Sequence, residues 1–389
     1  MSPKRALQVF LSGGCLWLSM SGCAPSVRVP SAPKPEASAL SRSWVHVRAD
    51  QVKWRLGMLS TRVVGGGPVL EWSAASADLA FDGVGLRVEA KDLGDSRWSE
   101  CSDNVLEVVV DGRDTIDHVV DPARPMIEIG PLADGPHTLR VSKRTEALCG
   151  RVGLGDVAVH GGSIQAPPAQ PQRRILYIGG SVTCGWGVMD DDPSPEFRPG
   201  SQSGTASYAA EAAKRLGADY GSVCVSGRGL LWNHDRRTDD VLPQVWRQGS
   251  LQRDEHNPLA KVSAPDAVVL ELGQLELQQD IPDAATFTRT YVEFVMEIHR
   301  RWPEAWIVAL DAPALDDERL ATLRSFLLPV DQWVRSRYKV KNFSRLFLTQ
   351  QGALGYGGGG FPNRSQSVMN GEELADHLRS RLGWKVAQR

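Results

Sequence analysis

Ile175-Leu176-Tyr177-Ile178-Gly179-Gly180-Ser181-Val182-Thr183-Cys184-Gly185-Trp186-Gly187 is the stretch that decides the fold. Its first four residues form a continuous apolar run, the mark of a strand buried on both faces. The run passes directly into glycines and a serine. A serine at a strand's carboxyl end, on a glycine-rich loop, presents an exposed Oγ beside backbone N–H groups. An acyl-transfer nucleophile needs both. Thr183 stands where the Gly-x-Ser-x-Gly elbow of α/β-hydrolases has its second glycine, so that motif is absent. No Gly-Lys-Ser/Thr follows, which argues against a phosphate-cradling loop.

Three more apolar runs follow: Ser222-Val223-Cys224-Val225, Ala267-Val268-Val269-Leu270 and Trp306-Ile307-Val308-Ala309-Leu310. Helical patterns lie between them. Tyr208 to Leu216 stops at Gly217, and Phe287, Tyr291, Phe294, Val295 and Ile298 share one stripe ending before Pro303. A last helix is predicted from Asn370 as N-cap, with Glu373 three residues on, to Gly383. Strands alternating with helices predict a parallel-sheet α/β domain over 175–389, with any site at the carboxyl ends of its strands. Upstream the texture differs. From 44 to 162 the chain shows short alternating segments such as Gly85–Ala90, Val105–Val110, His137–Val141 and Asp156–Val159, punctuated by Asp111-Gly112 and Asp134-Gly135. That pattern predicts an all-β jelly roll. Residues 163–174, rich in Pro and Gln, read as a linker.

The 389 residues fit this two-domain plan. Lys+Arg 44 against Asp+Glu 46 gives a net charge of −2, without a basic block, so a nucleic-acid partner is not expected. Lys4 and Arg5 followed by the apolar residues 6–20 read as a signal peptide over 1–22. It ends Leu18-Ser19-Met20-Ser21-Gly22-Cys23, which resembles a bacterial lipobox, and that resemblance makes Cys23 the lipidated first residue of the mature chain. Ala24 after it resembles the outer-membrane sorting pattern of Gram-negative hosts. Residues 23–43, Pro- and Ser-rich, form a tether. The expected location is therefore the cell envelope, with the membrane met only through the lipid. Of six cysteines, Cys101 and Cys149 fall in one predicted domain and are a candidate disulfide. For Cys184 and Cys224 a bond and a pair of buried thiols remain equally open. No spacing suggests a metal, and no cofactor is expected.

Five segments occur in the order found in SGNH/GDSL hydrolases. Gly135-Pro136-His137-Thr138-Leu139 with Ser142-Lys143-Arg144-Thr145-Glu146, the block at Ser181, Ser226-Gly227-Arg228-Gly229-Leu230, Leu270-Glu271-Leu272-Gly273, and Gly358-Gly359-Gly360-Phe361-Pro362 resemble those of family-2 carbohydrate esterases in particular. The resemblance implies a β jelly roll fused to an SGNH domain of flavodoxin-like three-layer type that removes O-acetyl groups from polysaccharides. It implies Ser181 as nucleophile and Gly227 as oxyanion-hole donor.

The departures concern chemistry. Gly180 replaces the first block's aspartate, and Leu275 stands where an oxyanion-hole asparagine is expected. Gly358 and Phe361 stand at the positions of the base-orienting aspartate and the histidine. Loss of a triad base costs on the order of 10⁴–10⁶ in rate. His234 is the candidate substitute base, since it follows the second block; a solvated loop histidine is the competing reading. His377 reads as an ordinary helix-face residue. The glycine run 355–360 reads as a loop freed from holding a histidine. Trp186 and Trp232 are the candidate sugar-stacking residues, their competing role being ordinary packing. Two functions follow: a catalytically degenerate glycan-binding lipoprotein, or an active O-acetyl esterase using Ser181 with a relocated base.

Overall fold

The computed structural model describes residues 43–385 apart from 64, 65, 102, 194, 195, 253–258, 260 and 261. The signal peptide, nearly all of the tether and Cys23 lie outside the described residues.

The first half is all β. Its strands are β1 (Trp44–Val47), β2 (Arg55–Leu56), β3 (Thr61–Arg62), β4 (Pro68–Leu70), β5 (Ser76–Gly83) and β6 (Gly85–Asp92). They continue with β7 (Val105–Val110), β8 (Asp114–Val119), β9 (Met126–Ile129), β10 (Gly135–Lys143), β11 (Val152–His160) and β12 (Ser163–Gln165). Two antiparallel sheets result, one ordered β3-β4-β11-β6-β9 with β1 beside β11, the other β12-β5-β10-β7-β8 with β2 beside β5. Alternation explains the layering: in β7, Val105, Leu106, Val108 and Val110 are buried while Glu107 and Val109 are less so. Ser163–Gln165, read as linker in the sequence, pairs with Phe81 and its neighbours as a strand.

The second half is a parallel sheet of β13 (Arg173–Gly179), β14 (Ala218–Cys224), β15 (Ala267–Glu271), β16 (Trp306–Leu310) and β17 (Phe343–Leu346). The order is β14-β13-β15-β16-β17, so the chain reverses direction at β13, between β14 and β15. Ligand crevices of doubly wound sheets open at such a reversal. Helices α1 (Ser181–Cys184), α2 (Tyr208–Leu216), α3 (Leu242–Gln248), α4 (Gln274–Gln279), α5 (Ala284–Arg301), α6 (Asp317–Gln332) and α7 (Arg364–Leu382) pack around it. Helix α2 ends at Gly217 (φ 60), as its sequence predicts.

The last helix starts earlier than expected. Asn363 is the N-cap, its side chain accepting from Gln366 N, and Asn370 lies buried within α7. The small, polar first half of α7 mimics a loop, yet a Cβ at Gly371 would fall 2.6 Å from Glu211 Cβ. Close approach to α2 demands those small residues.

Residues 43–389 form one compact unit. A single apolar core runs through both halves, with Leu59 of the jelly roll 2.4 Å from where a Cβ of Gly221 would sit. Buried polar bonds fasten the joint. The Glu71 carboxylate accepts from Ser250 Oγ and, at 2.7 Å, from Leu251 N. Glu146, wholly buried, accepts from Gln202 Nε2 (2.8 Å) and Ser226 N (2.7 Å). Buried Lys143 donates to the carbonyls of Thr145 and Glu146, and burial pulls its pKa down to about 7. The Lys143–Glu146 segment thus holds the loop that carries Gly227.

Candidate functional site

Strand β13 ends at Gly179, Gly180 caps α1, and Ser181 is the first helical residue. Gly179 has to be glycine: a Cβ there would lie 2.1 Å from Thr183 Oγ1. Gly180 does not, since a Cβ would meet only the Arg228 carbonyl at 3.8 Å. A Cβ at position 180 therefore meets no close neighbour. A disulfide joins Cys184, at the end of α1, to Cys224, at the end of β14, and so clamps the serine's helix to the strand leading to Gly227. Of the two states left open for this pair, the structure has the bond.

Ser181 and Gly227 line one cleft of about 640 Å³ together with Arg97, Trp98, Trp186, Arg228, His234, Leu275, Gln278 and Phe361. Gly227 is left-handed (φ 73), and its carbonyl accepts from His234 N at 2.8 Å. The structure thus brings Ser181, Gly227, His234 and Trp186 together. His234 is exposed, and no hydrogen bond joins its ring to Ser181. Among the described residues, no side chain bonds Ser181 Oγ. Leu275 and Phe361 line the cleft at the positions of the oxyanion asparagine and the histidine, and neither can donate or accept a proton. His377 lies elsewhere, its Nε2 2.8 Å from Ser344 Oγ, with burial lowering its pKa to about 4.

Trp232 is not part of the cleft wall. Its Nε1 donates to Gln279 Oε1 and Arg236 covers its ring, so packing, the competing role, accounts for it. The aromatic partner that sequence reading missed is Trp98. It stacks on Trp186 (centroids 5.3 Å apart, planes 19°) and touches Phe197 at 4.2 Å, while Phe361 lies 6.0 Å from Trp186. Trp98 belongs to the jelly roll, on a loop tied down by the Cys101–Cys149 disulfide that the sequence proposed. No local motif marks it; only the cysteine two residues beyond its neighbour Ser99 hints that its loop is held.

The glycine run also reads differently in three dimensions. Gly358 N donates to Gly187 O at 2.9 Å, and a Cβ at Gly187 would fall 2.1 Å from Gly358 O. A Cβ at Gly358 would lie 2.5 Å from Asp190 Oδ2. Backbone packs directly on backbone, so these glycines fix the loop against the nucleophile loop instead of leaving it loose.

Beneath Ser181 lies a second, smaller cavity. It holds about 20 Å³ and is lined by Gly180, Ser181, Gly227, Gly229, Glu271, Gln274 and Glu276. Glu271 closes β15 and accepts from Gly180 N (3.2 Å) and Thr183 Oγ1 (3.3 Å). Burial, with Asp311 and Glu276 nearby, pushes its pKa up to about 8. Glu276 accepts from Leu231 N at 2.8 Å, and burial raises it too. Nothing local in the sequence signals that either carboxylate is buried.

The fold is that of an SGNH-type domain carried behind a β jelly roll. The chain is similar to the carbohydrate esterases of family 2: residues 62–168 match the family described as carbohydrate esterase 2 N-terminal. It is 27% identical over 319 residues to the cellulase/esterase CelE of Acetivibrio thermocellus, covering 82% of this chain but only 38% of that protein. It is 26% identical over 323 residues to an acetylxylan esterase/glucomannan deacetylase of Cellvibrio japonicus, covering 80% of this chain and 86% of the relative. A family-two carbohydrate esterase from Clostridium thermocellum, solved in complex with cellohexaose, superposes with a TM-score of 0.76 at 25% identity, over 85% of this chain and all of that one.

Proposed function

We propose that the protein is a cell-envelope lipoprotein, anchored through Cys23, that binds polysaccharide in the Ser181 cleft and has lost triad-driven esterolysis. In a Gram-negative host the anchor places it at the outer membrane. The observation that carries this reading is Phe361 in the cleft wall beside a Ser181 whose Oγ has no side-chain partner. A serine hydroxyl without a base is a poor nucleophile. An aromatic surface lines the cleft: Trp98 and Trp186 can meet the C–H faces of sugar rings, and similar proteins are named for acetylxylan and glucomannan deacetylation or were solved with cellohexaose.

The test is a pair of assays on the full chain at pH 7. Calorimetric titration with xylo- and cello-oligosaccharides is expected to show binding that Trp98→Ala and Trp186→Ala weaken. Hydrolysis of acetylated xylan is expected to show no rapid Ser181-dependent turnover. Rapid turnover lost in Ser181→Ala sinks the reading in favour of an active O-acetyl esterase, for which His234, lining the same cleft, is the candidate base.

A further inference from the structure

The small cavity beneath Ser181 contains three buried polar oxygens that bond no described residue: Glu271 Oε1, Gln274 Oε1 and Glu276 Oε2. Their residues are 1%, 7% and 0% exposed. A buried donor or acceptor without a partner costs about 1–3 kcal/mol in general, so such oxygens find a hydrogen-bond partner. The cavity, at about 20 Å³, exceeds the roughly 10–15 Å³ that one water requires. Water supplies two donors and can itself accept from a hydroxyl. We propose that one water in this cavity links Ser181 Oγ to Glu271, and that Glu271 is the proton acceptor for a slow, Ser181-dependent hydrolysis of acyl esters.

The step balances without any added reagent. The water takes the Oγ proton and passes one of its own to the Glu271 carboxylate as Oγ bonds to the acyl carbon. The tetrahedral intermediate collapses, the bond to the alcohol oxygen breaks, and the leaving alkoxide recovers the proton from Glu271 through the same water. A second water, giving its proton to Glu271 along the same route, then attacks the acyl carbon; the bond to Oγ breaks, Oγ recovers that proton from Glu271 through the bridging water, and the acid is released.

The surroundings set when this route opens. Facing Glu271 are Glu276 of α4, Asp311 after β16 with its partner Arg324 of α6, Tyr208 of α2, Tyr291 of α5, Thr183 of α1, and Arg228 on the Gly227 loop. Desolvation and the two neighbouring acids outweigh the hydrogen bonds from Gly180 N and Thr183, so Glu271 keeps its proton at neutral pH and loses it near 8. The cleft therefore behaves as a binding site at neutral pH and acquires slow turnover as Glu271 ionises. This deepens the glycan-binding reading and takes the chain carrying the cleft's ester as its substrate.

The experiment follows initial rates on an activated acetyl ester and on acetylated xylo-oligosaccharides from pH 5 to 10. It uses the full chain, Ser181→Ala and Glu271→Gln. The Ser181-dependent rate is expected to rise about tenfold per pH unit and level off above about 8. Glu271→Gln should lower it by about 10²-fold and erase the limb. Should Glu271→Gln fail to fold, the wild-type pH profile decides alone. No Ser181-dependent rate at any pH, a limb retained in Glu271→Gln, or a limb removed by His234→Ala and not by Glu271→Gln each overturns the proposal. Oligosaccharide titration of the same proteins is independent: binding lost with the limb intact refutes the glycan reading and not this one.

Discussion

Replacing Phe361 with histidine is the most direct probe of what this cleft lacks. The backbone at 361 is extended (φ −85, ψ 171) and held on both sides, with Gly357 N donating to Phe361 O at 2.7 Å. An imidazole there enters the same cleft as Ser181. A positioned general base contributes about 10²–10⁴ in rate. The lower end applies, because Leu275 offers no oxyanion donor and no carboxylate stands at 358 to orient the ring. Adding Gly358→Asp should not help: its Cβ would fall 2.5 Å from Asp190 Oδ2, on a carboxylate whose Oδ1 Arg198 already holds at 2.5 Å. Loss of the half-buried phenyl ring and its contact with Trp186 should cost about 1 kcal/mol of stability. The expected result is about a 10²-fold gain in acetyl-ester hydrolysis at pH 7, absent from Phe361→His/Ser181→Ala. Its pH limb should sit near the ordinary histidine value of about 6.5, well below the Glu271 limb. If Phe361→His folds normally and hydrolyses no faster than wild type, the missing imidazole is not what silences Ser181.

Other outcomes follow from the same geometry. Trp98→Ala and Trp186→Ala each remove one aromatic face from the cleft; at about 0.5–1.5 kcal/mol for a stacked contact, calorimetry should show oligosaccharide affinity falling roughly 2- to 13-fold. Glu146→Ala strands Ser226 N, Gln202 Nε2 and the buried Lys143 charge; chemical denaturation should register a loss of about 3–5 kcal/mol, and Glu146→Gln a smaller one. The raised pKa of Glu271 means that the folded chain keeps a proton which the unfolded chain releases above about 4.5. Its stabilisation is thus complete below that value and is lost as pH rises toward about 8. Denaturation at pH 5 and pH 7 should differ by up to about 3 kcal/mol from this group, and Glu271→Gln should shrink the difference while Glu146 and Glu276, raised likewise, keep part of it.

Much of the fold was legible because short-range signals carried it. Val105–Val110 and Trp306–Leu310 are strands with the boundaries their apolar runs suggest, and Gly217 ends α2 where a left-handed cap was expected. The start of α7 was misread because Ser365, Ser367, Asn370 and Gly371 are small for a reason that lies 160 residues upstream, on α2. The site divides in the same way. Ser181 and Gly227 announce themselves through their loops. Trp98 reaches the cleft from the other half of the chain, and the buried state of Glu271 and Glu276 depends on how β15 and α4 pack. Neither is encoded in spacing. Trp232 had the right neighbours in sequence, but its side chain turns to Gln279.

The buried acids at the joint have a consequence for how the molecule comes apart. Glu71 and Glu146 leave the jelly roll to serve backbone N–H groups of the α/β half, and Trp98 leaves it to stack on Trp186. Cut at the joint, either half would expose apolar core and orphan polar groups at once. Calorimetry should accordingly record a single melting transition for residues 43–389, with enthalpies by heat uptake and by curve shape in agreement. The jelly roll is thus not a detachable appendage: it melts with the cleft whose wall it completes, and it cannot be exchanged for another binding module without rebuilding the site.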